Sequence, residues 1–424
     1  MNRHTMSAGI SPCHFLSGKT IVVVGAGISG SAFVASLRCL WDPAVSFPEI
    51  VVFDRDTQGT YERRGGYSLS LVGNHVSGGL VALNKMGLLA DTLRNTIAGV
   101  GGAGSFTLWT SSWRVLTRRR RPAADGMPTT SVRISPNEIQ RILLAAAHLD
   151  NENSVYWNTR CISVAKLSTG RLLIEVIQGD DSESDFMECD LLVAADGANS
   201  KIRTYLRPND ALEYTGAVMR TGVSRFSEAL PEEIGRNWGF VLSGNGTSCF
   251  VSPVGEKDLQ WAIGHFENQV PTNIRGLDHA KRVIKRASGL GSNIAEPFQT
   301  ILSQTDPNTV MCINAHDKLP FQHSEIGTMP VIFIGDSNHA LSPFAGYGAN
   351  LGLRDAWDLA EELVNGSSLE EAVEAYDRIS FPRAVKACRD ARKRLRDGHS
   401  TGLRYLVLVL MLFLCRVCRW VLGR

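Results

Sequence analysis

The sequence predicts an α/β protein: a parallel, Rossmann-like sheet with flanking helices, a mostly antiparallel second sheet, and a helical C-terminal segment. Three observations carry this. The β-branched run Ile21–Val24 stops in three glycines, Gly25, Gly27 and Gly30. Two later apolar runs, Asp190–Ala195 and Val331–Ile334, also end where an acidic residue stands beside glycine, at Asp196-Gly197 and Gly335-Asp336. Residues 206–325 instead carry short alternating stretches, such as Thr247–Val254 and Leu259–His265. Continuous runs suit strands buried on both faces, and alternating ones suit strands with one wet face.

The first run opens the nucleotide-binding type of turn. Gly25 permits a tight strand-to-helix turn, Gly27 lets a pyrophosphate approach the backbone, and Gly30 lets the helix pack close to the sheet. The helix expected over Ile28–Leu40 leads to a second strand, Ile50–Phe53, whose tip carries Asp54, the acceptor that a ribose hydroxyl pair needs. In YERRGGYSLSL, from Tyr61 to Leu71, Gly65-Gly66 breaks the chain before a strand-like stretch, and Arg63 and Arg64 read as solvated. Leu80, Leu83 and Leu88 give helical spacing. The run TRRRR, Thr117–Arg121, reads as a solvated turn. Ser131–Ala147 gives a strand end carrying Arg133, then a Ser135-Pro136 helix start. Val155–Val176 alternates as an antiparallel pair. After Val331–Ile334, the glycines Gly346, Gly348 and Gly352 open a helix whose free N–H groups stabilise an anion at its start.

Composition narrows the function. The chain has 424 residues, 44% of them hydrophobic, enough for two or three domains. A net charge of +2, with no basic stripe, gives no case for a nucleic-acid partner. Nine cysteines form no framework, and the one CxxC, Cys415–Cys418, lacks a second pair, so no metal site is expected and the thiols suit a reduced, cytoplasmic protein. The first residues lack an apolar core of the signal-peptide kind and read as a loose leader. Near the other end, Tyr405–Cys415 has eleven residues without a charge. As a helix this would extend about 16 Å, too short for a hydrocarbon core of about 30 Å. Arg383, Lys386, Arg389, Arg392, Lys393, Arg394 and Arg396 precede it, Arg404, Arg416 and Arg419 border it, and Trp420 suits an interface. Two readings stay open: peripheral membrane contact through this tail, or a last helix packed on the domains.

Three ordered segments together resemble one family: GAGISG with Asp54, DLLVAADGANSKIR, and GDSNHALSPFAGYGANLGLRDA. They are similar to the class A flavin monooxygenases of the para-hydroxybenzoate hydroxylase type, over roughly residues 18–390. Within that family RRGGYSLSL and SPFAGYGANLGL look most like the tetracycline-inactivating hydroxylases. The resemblance implies a Rossmann-like FAD-binding domain of the GR2 or para-hydroxybenzoate hydroxylase type over 18–205 and 326–365. It implies a mostly antiparallel substrate domain over 206–325, with the leader over 1–17 and C-terminal helices with the apolar tail over 366–424.

By the same resemblance, Gly25, Gly27, Gly30, Asp54 and Arg55 would hold the ADP half of FAD, and Arg133 would contact the cofactor. Asp196 and Gly197 match a second dinucleotide motif linked to FAD and to NADPH use. Asp336 would bind the ribityl and pyrophosphate region, Pro343 would border the flavin ring, and Gly346, Gly348, Ala349 and Asn350 would face its pyrimidine edge. Where the family usually has glutamine between the two glycines, this chain has Tyr347, expected to face the ring region. His339 is expected to be structural, and no residue is assigned as catalytic, because the flavin carries the chemistry. The implied activity is an NAD(P)H-using monooxygenase that hydroxylates or epoxidises an electron-rich organic substrate with molecular oxygen through a flavin C4a-hydroperoxide. The alternatives are a reductase or dehydrogenase on the same scaffold, or a non-catalytic flavin-binding protein. The WxWxIP signature of flavin halogenases is absent from the sequence.

Overall fold

A computed structural model of the chain describes residues 14–421, apart from 64–65, 74, 76–77, 119–122, 152, 180–182 and 273. The first thirteen residues of the expected leader, Arg64 and Arg119–Arg121 lie outside the described residues. So do the side chains of Arg63, Cys415, Arg416, Arg419 and Trp420.

The β-branched run forms β1 (Thr20–Val24) at the centre of a four-stranded parallel sheet, in the order β17 (Val331–Phe333), β11 (Leu191–Ala194), β1, β2 (Glu49–Phe53). Alternate residues of β1 enter two different cores. Ile21 and Val23 join Phe33 of α1 (Ile28–Leu40), Ile139 of α5 (Pro136–Ala146) and Leu353 of α10 (Gly348–Asn365). Val22 and Val24 join Val164 and Ile174 of an antiparallel sheet, β8 (Thr159–Lys166), β9 (Leu172–Gln178) and β10 (Asp185–Cys189). Burial on both faces is why this strand reads as a continuous apolar run.

A small sheet pairs β3 (Leu69–Val72) and β4 (Thr96–Ala98) to β7 (Ser131–Ile134). Ser135 caps α5, accepting the Asn137 N–H at 3.2 Å. The helix expected around Leu80–Leu88 is two helices, α3 (Gly79–Lys85) and α4 (Leu89–Arg94), divided by Gly87 at φ +76°. A short α2 (Gln58–Arg63), not foreseen, fills the stretch before the double glycine.

The largest sheet has seven strands: β16 (Thr305–Asp317), β12 (Glu213–Arg225), β15 (Asp258–Phe266), β14 (Thr247–Pro253), β13 (Trp238–Leu242), β5 (Phe106–Thr110) and β6 (Val115–Arg118). It is antiparallel except where β13 meets β5. Two of its strands thus come from residues 106–118, within the span expected for the first domain. One face carries Trp109, Val251 and Trp261 and packs against α7 (Leu277–Leu290) and α8 (Phe298–Ser303). The other carries Leu108, Phe240, Phe250 and Ala262 in register.

Beyond β11 lies α6 (Lys201–Leu206), and beyond β17 the single turn α9 (Asp336–His339). The chain closes with α11 (Leu369–Gly398) and α12 (Gly402–Val421). No helix of the described residues is long and apolar enough to cross a membrane.

Candidate functional site

The carboxyl ends of β1, β2, β11 and β17 meet around a cavity of about 520 Å³. In open parallel sheets that edge is where ligands bind. Its lining contains Gly25, Gly27, Asp54, Arg55, Asp196, Gly197, Asp336, Gly348 and Ala349, nine of the residues singled out from the sequence.

The three glycines of the first turn have different tasks. Gly25 sits at φ +109°, and a Cβ there would stand 2.4 Å from the Ala195 carbonyl oxygen of the neighbouring strand. A Cβ on Gly30 would stand 1.9 Å from the Gly25 carbonyl oxygen, so Gly30 lets α1 close on its own turn, outside the cavity lining. A Cβ on Gly27 would meet no protein atom within 4 Å, and Gly27 faces the cavity. Only Gly27 is therefore small without a neighbour that requires it.

The acidic residues also differ. Asp54 is buried and steadies the turn, accepting the Ala26 N–H at 2.7 Å and the Asp56 N–H at 2.8 Å. Asp196 accepts the Lys201 N–H at 2.8 Å through one oxygen, while its other oxygen is buried without a partner. Burial raises its carboxyl above the usual range. Asp336 receives no hydrogen bond from a described residue, and burial raises it too. Both residues line the cavity, and their spare acceptor capacity suits a ligand rich in hydroxyl groups.

Behind Asp336 a buried ionic chain holds the motif in place. Asp355 on α10 accepts the Gly335 N–H at 3.0 Å, contacts His339 Nε2 at 2.5 Å and pairs with Arg383 of α11 at 2.9 Å. Arg383 also reaches Asp358 at 2.6 Å. Burial works to raise Asp355, but His339 and Arg383 overcome it and hold the carboxyl at about 2. Burial would lower His339, and Asp355 raises it above its ordinary value. His339 therefore ties α9 to α10, in keeping with a structural part.

Five of the residues named from the sequence lie outside the cavity lining: Gly30, Arg133, Pro343, Gly346 and Asn350. Gly346, at φ +65°, turns the chain into α10, which starts at Gly348, while Gly352 lies inside the helix where a Cβ would stand 2.3 Å from Ser29 Oγ of α1. The Asn350 side chain is a staple. Its Oδ1 accepts the Val72 N–H at 2.8 Å and the Gly79 N–H at 2.9 Å, and its Nδ2 donates to the Ser70 carbonyl at 2.7 Å, joining β3 and α3 to α10. Arg133 is buried, donates to Ser68 Oγ at 3.0 Å and Ser70 Oγ at 2.6 Å, and lies 5.3 Å from the centre of the Phe250 ring. Burial pushes its guanidinium down to about 9. Tyr347 stacks under Arg394 of α11, with the guanidinium carbon 4.5 Å from the ring centre.

Sequence reasoning missed Asn137 and Gln140 on α5, and Thr159, Arg160 and Cys161 at the start of β8. Gln140 donates to the Ala26 carbonyl at 2.8 Å, bracing the turn opposite Asp54. The polar residues on the otherwise apolar inward face of α5 were the available signal. The start of β8 has none, because it reaches the cavity only through tertiary packing.

This fold and cavity define a dinucleotide-binding enzyme of the α/β type. Residues 80–391 match the family described as "FAD binding domain". The chain is 40% identical over 394 residues to "Monooxygenase cfoF" of Aspergillus candidus, covering 92% of this chain and 94% of that one. It therefore belongs to the FAD-dependent monooxygenases of class A, the para-hydroxybenzoate hydroxylase type. A chloroplastic zeaxanthin epoxidase of Spinacia oleracea is 26% identical over 406 residues, where the chain spans 54% of that protein's length. Among solved structures, Klebsiella pneumoniae HpxO complexed with FAD and uric acid superimposes with a TM-score of 0.76 at 19% identity, covering 94% of both chains. The tetracycline destructase Tet(55) does so at 0.67 and 15% identity, covering 94% of this chain and 97% of that one.

Proposed function

We propose that FAD lies in this cavity with its pyrophosphate over Gly27, its adenosine ribose toward Asp54 and Arg55, and its ribityl chain toward Asp336. The single observation that carries this is the cavity itself: open space over Gly27 beside two carboxylates, at Asp196 and Asp336, with acceptor capacity left over. Bound FAD supplies oxygen activation and electron transfer, and the protein supplies position and charge. The N–H groups of Gly348, Ala349 and Asn350, at the start of the eighteen-residue α10, favour negative charge near the ring. In this reading Pro343 and Gly346 border the ring, Arg133 contacts it from the small sheet, and Gly197 belongs to the second dinucleotide motif.

The substrate we assign is an electron-rich, hydrophobic organic molecule that is hydroxylated or epoxidised. It lies against the sheet face of Leu108, Phe240 and Phe250, where the two phenyl rings stand 5.0 Å apart below Arg133. NAD(P)H is the electron source implied by the resemblance. The domain division follows the sequence boundaries, 18–205 with 326–365 against 206–325, except that 106–118 joins the substrate side. Free thiols at Cys161, Cys189, Cys249, Cys312 and Cys388 support work in the reducing cytoplasm, with peripheral membrane contact through the tail.

The test uses purified, FAD-loaded protein with NADH or NADPH and labelled dioxygen. A product carrying one labelled oxygen, formed in step with NAD(P)H use, supports the proposal. Hydrogen peroxide equal to NAD(P)H consumed across a broad panel of aromatic and polyketide compounds overturns it.

A further inference from the structure

The last helix is built unlike the others. Along α12, Tyr405, Leu408, Val409 and Leu412 are half-buried at helical spacing and face the protein. The Tyr405 hydroxyl donates to the Leu242 carbonyl at 3.3 Å, and the helix packs against β6. The opposite side is apolar and uncovered: Leu403 is 77% exposed, Leu406 61%, Leu410 56%, Met411 59% and Phe413 55%. An uncovered stripe of large side chains on one helix marks an interaction surface.

From Arg383 onward, the cations of the preceding helix divide into two groups. Arg383 is committed to Asp355 and Asp358, Arg392 to Asp317 and Glu213, and Arg394 stacks on Tyr347. Lys386, Arg389, Lys393 and Arg396 are exposed and have no ion-pair partner among the described residues. Their spacing of three, four and three puts them in one stripe of α11, ending just before the turn into α12. The described part of α12 contains no acidic residue.

We propose that these two stripes form one lipid-binding surface, on which α12 lies flat in the head-group region of an anionic membrane. The outer face of α12 enters the acyl boundary, while Lys386, Arg389, Lys393 and Arg396 meet the lipid phosphates. A helix held to the protein along one side cannot cross a bilayer, but it can lie in the interface plane. Free cations next to an apolar stripe favour an anionic lipid surface over a second copy of the chain, whose same stripe would repel them. This rests on the peripheral-tail reading and is independent of the flavin chemistry.

Full-length, FAD-loaded protein is sedimented with phosphatidylcholine vesicles with and without phosphatidylserine, and bound flavin absorbance reports that each variant is folded. Expected is binding that needs phosphatidylserine and falls with salt. Removal of each cation, in Lys386→Gln and Lys393→Gln, should weaken it about fivefold. Leu406→Ser with Leu410→Ser should abolish it while FAD stays bound. Equal binding to both vesicle types, insensitive to salt, would leave the tail peripheral but overturn the anionic-lipid assignment. No binding to either, with self-association lost in Leu406→Ser/Leu410→Ser, would overturn both and make the face a contact between copies.

Discussion

Replacing Gly27 by alanine separates ligand space from packing space. A Cβ at Gly27 meets no protein atom within 4 Å, and the residue's φ of −70° and ψ of −171° are open to any L-residue. The apoprotein therefore tolerates Gly27→Ala, and the stiffer unfolded chain adds about 0.4–1 kcal/mol of stability. The methyl group projects into the cavity where the pyrophosphate is proposed. Crowding there should cost about 1–3 kcal/mol of FAD binding, roughly 5- to 150-fold in Kd. Gly30→Ala is the control, because its Cβ would stand 1.9 Å from the Gly25 carbonyl oxygen, where ordinary contact begins at 3.4 Å. The turn must shift by about 1.5 Å, and the fold should lose about 3 kcal/mol or more. The assay pairs thermal melting of FAD-free protein with FAD titration followed by flavin fluorescence. If Gly27→Ala lowers the apoprotein Tm as much as Gly30→Ala does, or binds FAD with wild-type affinity, the space over Gly27 is not ligand space and the reasoning fails.

Asp336→Ala should weaken FAD by about 1–3 kcal/mol without lowering the apoprotein Tm, because the carboxylate receives no hydrogen bond from a described residue; a drop in Tm alone would make it structural. Asn350→Ala should destabilise the apoprotein by about 2–4 kcal/mol, since two backbone N–H groups and a carbonyl lose their partner, and melting measures it directly. The His339–Asp355 pair gives a pH signature. Asp355, held at about 2, contributes stability above the usual carboxylate pKa of about 3.9 that is lost as pH falls through 2; His339, raised, contributes stability below about 6.5 that is lost as pH rises through its folded value. The Tm difference between wild type and His339→Phe should thus be largest from about pH 4 to 6.5 and shrink on either side; a difference flat from pH 3 to 9 would show that the pair does not titrate with folding.

The elements governed by local periodicity were legible in the sequence. α1 spans Ile28–Leu40 as the pattern requires, β14 and β15 fall where Thr247–Val254 and Leu259–His265 alternate, and Ser135 caps α5. What stayed hidden is non-local. β5 joins β13 in parallel across more than a hundred residues, and nothing in Phe106–Thr110 specifies that partner. α7 was overlooked because its buried apolar side is Ala280, Val283, Ala287 and Leu290, a stripe with two alanines among four residues beside louder strand signals. At the site, glycine spacing marked the turn, but not that Gly30 serves packing while Gly27 serves open space. Nor does a sequence show that the side chain of Asn350 would be spent on β3 and α3, or that Arg383 and Arg392 would leave a cationic run for buried carboxylates.

The strand order β17-β11-β1-β2 sets when a flavin can first be captured during synthesis. β1 leaves the ribosome early, yet one of its neighbours, β11, comes from the middle of the chain, and the cavity closes only once Asp336 and Gly348 have been made. The intervening stretch, Val24 to Gly348, is roughly three hundred residues, which at about 5–20 residues per second takes on the order of tens of seconds to emerge. Until β11 is made the Ile21–Val24 strand has an unpaired, apolar edge, and from then until β17 is made the edge of β11 takes its place, the kind that chaperones shield and aggregates recruit. FAD therefore cannot template the nascent chain. It arrives as a latch on a nearly finished fold, so flavin shortage in the cell would leave a complete but looser apoprotein instead of a stalled folding intermediate.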